Sequence, residues 1–322
     1  MLKAPSSDFW RVGIVPMQLE ALNAASLAAS RDSICWLPDA GAWRYLADPF
    51  GLQRGDALHV FVEAYDYRSK RAHIERHEFA LDGLKWRGKH TVLDLPVHLS
   101  YPYVFEHEGE TWMLPESHQA NEVALYRGDA SLNRWERFAP LLSGLPVADA
   151  SLIQHEGSWW MFYTLVGKGG RDQRELHVAH ARSLFGPWTI CERNPVLVDR
   201  HGARPAGRPF VDAQGLVCLP VQDCSGGYGS ATRMLRMMEL RPECVRIEAL
   251  DWRLTGEMAS DDHVDGLHTV SACGEFTLID VKRIDHSRAR QWLDLKRRVR
   301  RLGRLLDAVK TPARTDFEVT TV

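Results

Sequence analysis

Tyr101-Pro-Tyr-Val-Phe-Glu-His-Glu-Gly-Glu-Thr-Trp-Met-Leu-Pro-Glu116 reads as a β-hairpin: two strand-forming runs flank a turn at Gly109. The same frame recurs on both sides of it. Asp48-Pro-Phe50 leads through Asp56 to His59-Val-Phe-Val-Glu63, and Asp149-Ala-Ser-Leu152 leads through Gly157 to Trp160-Met-Phe-Tyr-Thr164. In all three, opener and closer stand 15 positions apart, with a turn residue seven before the closer. A fourth copy, Arg204-Pro-Ala-Gly207 to Gly215-Leu-Val-Cys-Leu-Pro-Val-Gln222, has a longer first half, and a fifth runs from His268-Thr-Val-Ser-Ala272 to Gly274-Glu-Phe-Thr-Leu-Ile-Asp280.

The openers at 48, 101, 149, 204 and 268 are 53, 48, 55 and 64 residues apart. Repeats of roughly 40–50 residues are the sequence mark of propeller blades. Trp86, Trp135 and Trp188 precede the next opener by 15, 14 and 16 residues, each after a turn-like stretch, so each repeat holds four short strands. The expected fold is all-β, a five-bladed β-propeller over residues 1–282, with the tryptophans packed between blades. The long last gap and the alternating Trp10-Arg-Val-Gly-Ile14 predict an N-terminal strand that helps close the ring.

At 322 residues, 45% apolar and 25% charged, the chain can bury a sizeable core, which excludes disordered and collagenous classes. Its formal charge of −2 hides a polarity. Residues 282–310 carry eleven Lys and Arg against Asp285, Asp294 and Asp307, a net +8, so the remainder sums to −10. An acidic body argues against a nucleic-acid partner. No apolar run approaches the roughly 18 residues of a membrane helix, and Met1 to Arg11 lacks a signal-peptide pattern. Six scattered cysteines without a C-x-x-C pair read as reduced thiols, so a cytoplasmic protein is expected, without metal or cofactor.

The first strand of every propeller blade lines the axis, so the openers Asp48, Tyr101, Asp149, Arg204 and His268 are expected to converge there. The hairpin closers Glu63, Glu116 and Gln222, with Asp223, are expected at the rim. Packing alone does not place so many charges at a centre, because each unpaired buried charge costs several kcal/mol. Either Asp48, Asp149 and Arg204 form a closed ion-pair ring, or the cluster is functional. Paired carboxyl groups serve glycosidic chemistry, one protonating the leaving oxygen and another activating water or attacking carbon. Trp43, Tyr45, Tyr65, Tyr101, Tyr103, Tyr163 and Tyr228 are available to stack on sugar faces.

Ala47-Asp48-Pro49-Phe50, Ala148-Asp149-Ala-Ser-Leu152 and Gly266-Leu-His268 resemble the first, third and fifth blades of five-bladed furanosidase propellers such as glycoside hydrolase family 43. A closer resemblance, over about residues 35–282, is to the N-terminal propeller of the glucosamine inositolphosphorylceramide transferase family, which also resembles segments beside bacterial formyltransferase-like domains. It rests on Leu99-Ser-Tyr-Pro-Tyr-Val-Phe-Glu106, Met113-Leu-Pro-Glu-Ser117, Phe185-Gly-Pro-Trp188, Asn194-Pro-Val196, Ala203-Arg-Pro-Ala-Gly207, Gln222-Asp-Cys224 and Gly266-Leu-His-Thr269. The hydrolase resemblance implies Asp48 as general base, Asp149 as the carboxylate that orients substrate and tunes the acid, and His268 as an axial histidine associated with an ion or water. Where that family carries its acid glutamate, in the fourth blade, this chain has Ala203-Arg204-Pro205, and arginine cannot act as a general acid. Either Glu116 takes the acid role or the chemistry differs, with Arg204 holding a phosphate or a sugar carboxylate.

The sequence reading therefore has Asp48 (base or nucleophile), Glu116 and Asp149 as catalytic residues. Arg204, His268, Asp223, Gln222, Tyr101 and Glu63 are the substrate contacts. A carbohydrate or glycoconjugate, with or without an anionic group, is the expected partner, cleaved by a hydrolase or handled by a transferase or phosphorylase. The rival is a non-catalytic glycan-binding or scaffold module in a polysaccharide or glycolipid assembly pathway. Gly167-Lys-Gly-Gly170 lacks a phosphate-loop pattern, and Gly226-Gly-Tyr-Gly229 reads as a rim loop. Residues 283–322 form a separate element. Leu295, Val299, Leu302, Leu306 and Val309 step by 4, 3, 4 and 3, predicting a basic amphipathic α-helix over 286–310 that contacts the propeller, a protein or an anionic membrane surface.

Overall fold

A computed structural model describes residues 6–297 and 299. Residues 8–283 form one compact unit, and the described residues 6–7 belong with those from 284 onward to a second. The first unit is a five-bladed β-propeller. Blade 1 runs Arg44–Arg54, Ala57–Asp66, Arg71–Ala80 and Trp86–Leu93 from the axis outward, and blade 2 runs Ser100–His107, Glu110–Glu116, Glu122–Gly128 and Trp135–Ser143. Blade 3 holds Val147–His155, Ser158–Leu165 and Glu175–Ala181, and its outer edge is broken into Thr189–Ile190 and Leu197–Val198. In blade 4 the inner strand is broken instead, into Arg204–Pro205 and Phe210–Val211, ahead of Val217–Asp223, Ala231–Arg241 and Cys244–Leu254.

Blade 5 closes the ring. Val270–Cys273 and Phe276–Asp285 come from the end of the repeat region, Ser7–Val15 supplies the third strand and Cys35–Trp36 the fourth. The expected N-terminal closing strand is thus present, and it pairs chain ends that a single-blade hairpin would leave as open edges.

Aromatic and branched side chains fill the spaces between blades. Phe50, Phe61, Tyr101, Tyr103 and Trp135 share one cluster, and the Trp135 ring meets Phe61 edge-on at 5.6 Å. Trp135 follows the expected packing role, but Trp86 does not. Trp86, at the start of the outermost strand of blade 1, is 47% exposed.

Each of the first three openers sits in the same unusual conformation. Asp48, Tyr101 and Asp149 have φ of 51°, 44° and 51°, and each lies in a register shift of its hairpin (Ala47/Phe50, Ser100/Tyr103, Ala148/Ser151). A left-handed non-glycine residue costs of order 1–3 kcal/mol and persists only where its surroundings enforce it. The bulge it creates re-aims one side chain toward the axis.

Tyr101 shows what enforces it. Its hydroxyl accepts from Gly207 N–H at 2.6 Å and bonds Ser151 Oγ at 2.8 Å, while Ser151 Oγ donates to Gly207 O at 3.1 Å. This ring joins blades 2, 3 and 4. Gly207 has φ +143° and a Cβ there would meet Val270 O at 1.8 Å, so only glycine allows blade 4 to approach blade 5. Tyr101→Phe leaves the buried Gly207 N–H without its partner, and a loss of about 1–3 kcal/mol is expected in chemical denaturation. An unchanged midpoint would mean the ring carries no weight.

Candidate functional site

At the axis the three left-handed openers and the hairpin closers meet. Glu63 stands cross-strand from Ala47, Glu116 from Ser100 and Gln222 from Arg204, so the closers enter beside the openers by register. Asp48, Glu63, Glu116, Asp149 and Arg204 are all buried or nearly so.

Arg204 is the cation of one half of the cluster. Its Nε donates to Asp149 Oδ2 at 2.5 Å, Nη2 to Asp149 Oδ1 at 3.2 Å and Nη1 to Asp172 Oδ2 at 3.3 Å, while Glu116 Oε2 lies 3.9 Å from Nη2. Gln222 Nε2 donates to Asp149 Oδ2 at 3.0 Å. Glu116 also receives a 2.7 Å hydrogen bond from His118 Nδ1. Burial pushes the Glu116 carboxyl up, but the His118 hydrogen bond, the Arg204 charge and a hydrogen bond with Asp149 override it and hold the group at about 2. Asp149 goes the other way. Burial raises it well above the ordinary carboxyl value, Arg204 opposes, and the nearby Glu116 and Asp48 charges add to the rise. The two carboxyls are coupled closely enough to titrate as a pair.

The other half is built on Asp48. Its Oδ1 accepts from Thr269 Oγ1 at 2.9 Å and its Oδ2 from Tyr101 N–H at 3.2 Å, with His268 Nε2 3.4 Å from Oδ1. Burial raises the Asp48 carboxyl, with His268 opposing and Asp280 adding. Glu63 is raised well above its ordinary value by burial, by the Asp48 and Glu116 charges and by a hydrogen bond with Asp48. His98, whose Nε2 is 3.5 Å from Glu63, is lowered by burial, which disfavours its charged form.

His268 is fixed on every side. Its ring stacks on Trp10 with centroids 3.7 Å apart, Tyr228 meets it edge-on at 5.4 Å, and Nδ1–H donates to Asp280 Oδ1 at 2.8 Å. Asp280 also accepts from the backbone N–H of His268, Thr269 and Asp48. Asp48, His268 and Asp280 are the one metal-competent group among the described residues, their ligand atoms within 4.8 Å of one another. Both Asp280 oxygens already accept protein donors, so this carboxylate reads as a buttress for Asp48 and His268. Above the carboxyl floor, half-buried rings form a rim: Tyr45 and Tyr65 stack at 4.8 Å, and Arg204 lies 5.2 Å from the Tyr228 ring centroid.

Of the expected site residues, the structure gathers Asp48, Glu63, Glu116, Asp149, Arg204, Gln222 and His268. It corrects two. Tyr101 is sealed in the core with its hydroxyl committed to Ser151 and Gly207, so only its N–H faces the cluster. Asp223 follows Gln222 in a strand and therefore points to the opposite face, where Arg233 and Arg253 pair with it at 3.2 and 3.6 Å. The closed ring of Asp48, Asp149 and Arg204 is not what forms, since Arg204 binds Asp149 and Asp172 and Asp48 binds Thr269. Glu116 as the protonated acid does not fit its surroundings either, which keep it ionised. Asp280, His118, Asp172 and Trp10 were missed. Asp280 alone had a signal, because it closes the fifth hairpin as Glu63 and Glu116 close the first two.

The fold of this chain is shared with solved structures. The α-L-arabinofuranosidase PaAbf62A from Podospora anserina matches with a TM-score of 0.54 at 11% identity, over 75% of this chain and 92% of that one. Zg3597, a family 117 glycoside hydrolase from Zobellia galactanivorans, matches with a TM-score of 0.53 at 12% identity, over 87% and 91%. At such identities the likeness is one of fold.

The family is set by sequence. Residues 35–267 match the family described as glucosamine inositolphosphorylceramide transferase 1, N-terminal, and the chain belongs to it. The protein named glucosamine inositolphosphorylceramide transferase 1 from Oryza sativa subsp. indica is 33% identical over 214 residues, which is 65% of this chain and 28% of the rice protein. Its namesake from Arabidopsis thaliana is 26% identical over 260 residues, 73% of this chain and 33% of that protein. The match thus spans a third or less of these relatives.

Proposed function

We propose that the axial site binds a carbohydrate or glycoconjugate and cleaves or transfers a glycosyl unit. The observation that carries this reading is the convergence of four buried carboxyl groups, Asp48, Glu63, Glu116 and Asp149, at one axis with Arg204 and His268, where Glu116 is held low by His118 and Arg204 despite burial, while burial raises the other three. Environments that push paired carboxyls apart are what acid and base assignments require. Asp48 is the base or nucleophile, reached by substrate past the Tyr45, Tyr65 and Tyr228 rim. The coupled Glu116–Asp149 pair beside Arg204 supplies the acidic proton. Arg204 and Gln222 hold Asp149 in place, and His268 does so for Asp48.

The family name and the furanosidase-like fold support a sugar ligand. They do not distinguish hydrolase, transferase and phosphorylase, and each remains within the proposal. An anionic sugar group at Arg204 is disfavoured by geometry, because three carboxyl groups already surround that guanidinium. A cytoplasmic location is our reading of six free thiols.

A second reading, a glycan-binding module without turnover, draws on the same family match. The matched region is 28% of the rice relative and 33% of the Arabidopsis one, so their chemistry can reside elsewhere in them. A mass-spectrometric screen of mixed glycosides and activated sugars separates the two. At least one sugar is expected to bind saturably and to be converted. Binding without conversion favours the module, and no binding by any sugar removes both readings.

A further inference from the structure

In the second unit a helix occupies residues 289–297. Trp292, Leu295 and Val299 are 67%, 50% and 60% exposed, and their spacing of three and four places them on one face. By helical spacing Arg288 lies on that face and Lys296 flanks it, while Arg290 and Arg297 fall on the opposite side. Arg290 and Arg297 approach Asp294 at 3.9 and 3.2 Å, which offsets its charge, and Arg288 and Lys296 are exposed. The remaining expected positions, Leu302, Leu306 and Val309 with Arg298, Arg300, Arg301, Arg304 and Lys310, lie outside the described residues.

We infer that this segment docks on an anionic lipid surface. An exposed Trp and two aliphatic side chains flanked by Arg and Lys is the pattern of helices that lie in a bilayer interface, apolar face down and cations toward headgroups. Charge complementarity selects the occupant. A second copy would bring the same net +8 of residues 282–310 against this one, with only three acidic residues to answer it. A negatively charged leaflet satisfies both the apolar face and the cations. The inference concerns residues remote in sequence from the axial carboxyls and stands or falls without the glycosyl reading.

The test is flotation of the full chain with vesicles of phosphatidylcholine alone and of phosphatidylcholine mixed with phosphatidylserine. Binding is expected to the mixed vesicles, absent on the neutral ones and reversed by high salt. Lys296→Gln with Arg297→Gln is expected to weaken partitioning roughly thirtyfold, from about five- to sixfold per surface cation. Trp292→Ser is expected to weaken it as well. Circular dichroism melting confirms that each variant keeps its fold. Equal binding to neutral vesicles, no binding to mixed ones, or binding indifferent to both variants overturns the inference. So does a concentration-dependent dimer abolished by Leu295→Ser, which would make the face a self-association seam.

Discussion

Arg204→Met is expected to lower the stability of the propeller by about 3–5 kcal/mol at neutral pH, because it removes one partner of a buried charge pair and leaves the other uncompensated. For a chain of this size that is a fall in Tm of roughly 4–9 °C. Among the described residues the guanidinium is the one arginine or lysine group hydrogen-bonded to Asp149, and it also faces Glu116 and Asp172. Burial works against its charge, yet Asp149, Tyr228 and Glu116 hold it firmly cationic. Methionine fills similar volume without the charge, so the loss is electrostatic.

The pH dependence follows with a definite sign. Without Arg204 the opposing influence on Asp149 vanishes, so its folded pKa, already raised, rises further above the unfolded value of about 3.9. A carboxyl with a raised folded pKa favours the folded state at low pH and loses that contribution as pH rises through the folded value. The stability gap between wild type and variant should therefore be widest near neutrality and shrink as pH falls. Melting curves for both proteins from about pH 5 to pH 8 check this. A gap that is constant across the range would place the cost in packing and not in the carboxyl cluster.

Much of the fold was legible because a propeller repeats itself. The 15-residue frame from Asp48 to Glu63 recurs twice without change, and a hairpin's register then places openers and closers together at one axis. Blade 4 was harder, since Gly207 interrupts its inner strand to let Val270 approach, a contact between residues 63 positions apart. Within the site, identity was easier to read than role. That Glu116 lies near Arg204 follows from the repeat. That it is ionised depends on His118, which comes from the short turn after its strand and has no counterpart in the repeat. Tyr101 was misjudged for a related reason. Its position repeats that of Asp48 and Asp149, but its long side chain crosses to Ser151 and Gly207 instead of stopping at the axis.

Asp48→Asn is expected to lower turnover about 10²- to 10⁴-fold, the range associated with loss of a positioned general base. The substitution is nearly isosteric. An amide oxygen can still accept from Thr269 Oγ1, as Asp48 Oδ1 does at 2.9 Å, while the amide nitrogen faces Tyr101 N–H and costs about 1–3 kcal/mol of stability, so sugar binding should survive in a variant whose fold is checked by melting. The wild-type rate should rise with pH through the Asp48 carboxyl, whose value lies above the ordinary range, because burial and the neighbouring Asp280 and Glu116 disfavour the ionised base. At higher pH the rate should fall as the Asp149–Glu116 pair gives up its shared proton, which yields a bell.

The most direct measurement is the pH–rate profile of the wild type and Asp48→Asn on the sugar substrate that the binding screen returns. The account predicts a bell for the wild type with its acidic limb above the ordinary carboxyl range, and residual turnover at least about 100-fold lower for the variant at unchanged sugar affinity. Equal turnover by the two proteins would contradict it, and would remove Asp48 and the axial carboxyl cluster from the chemistry.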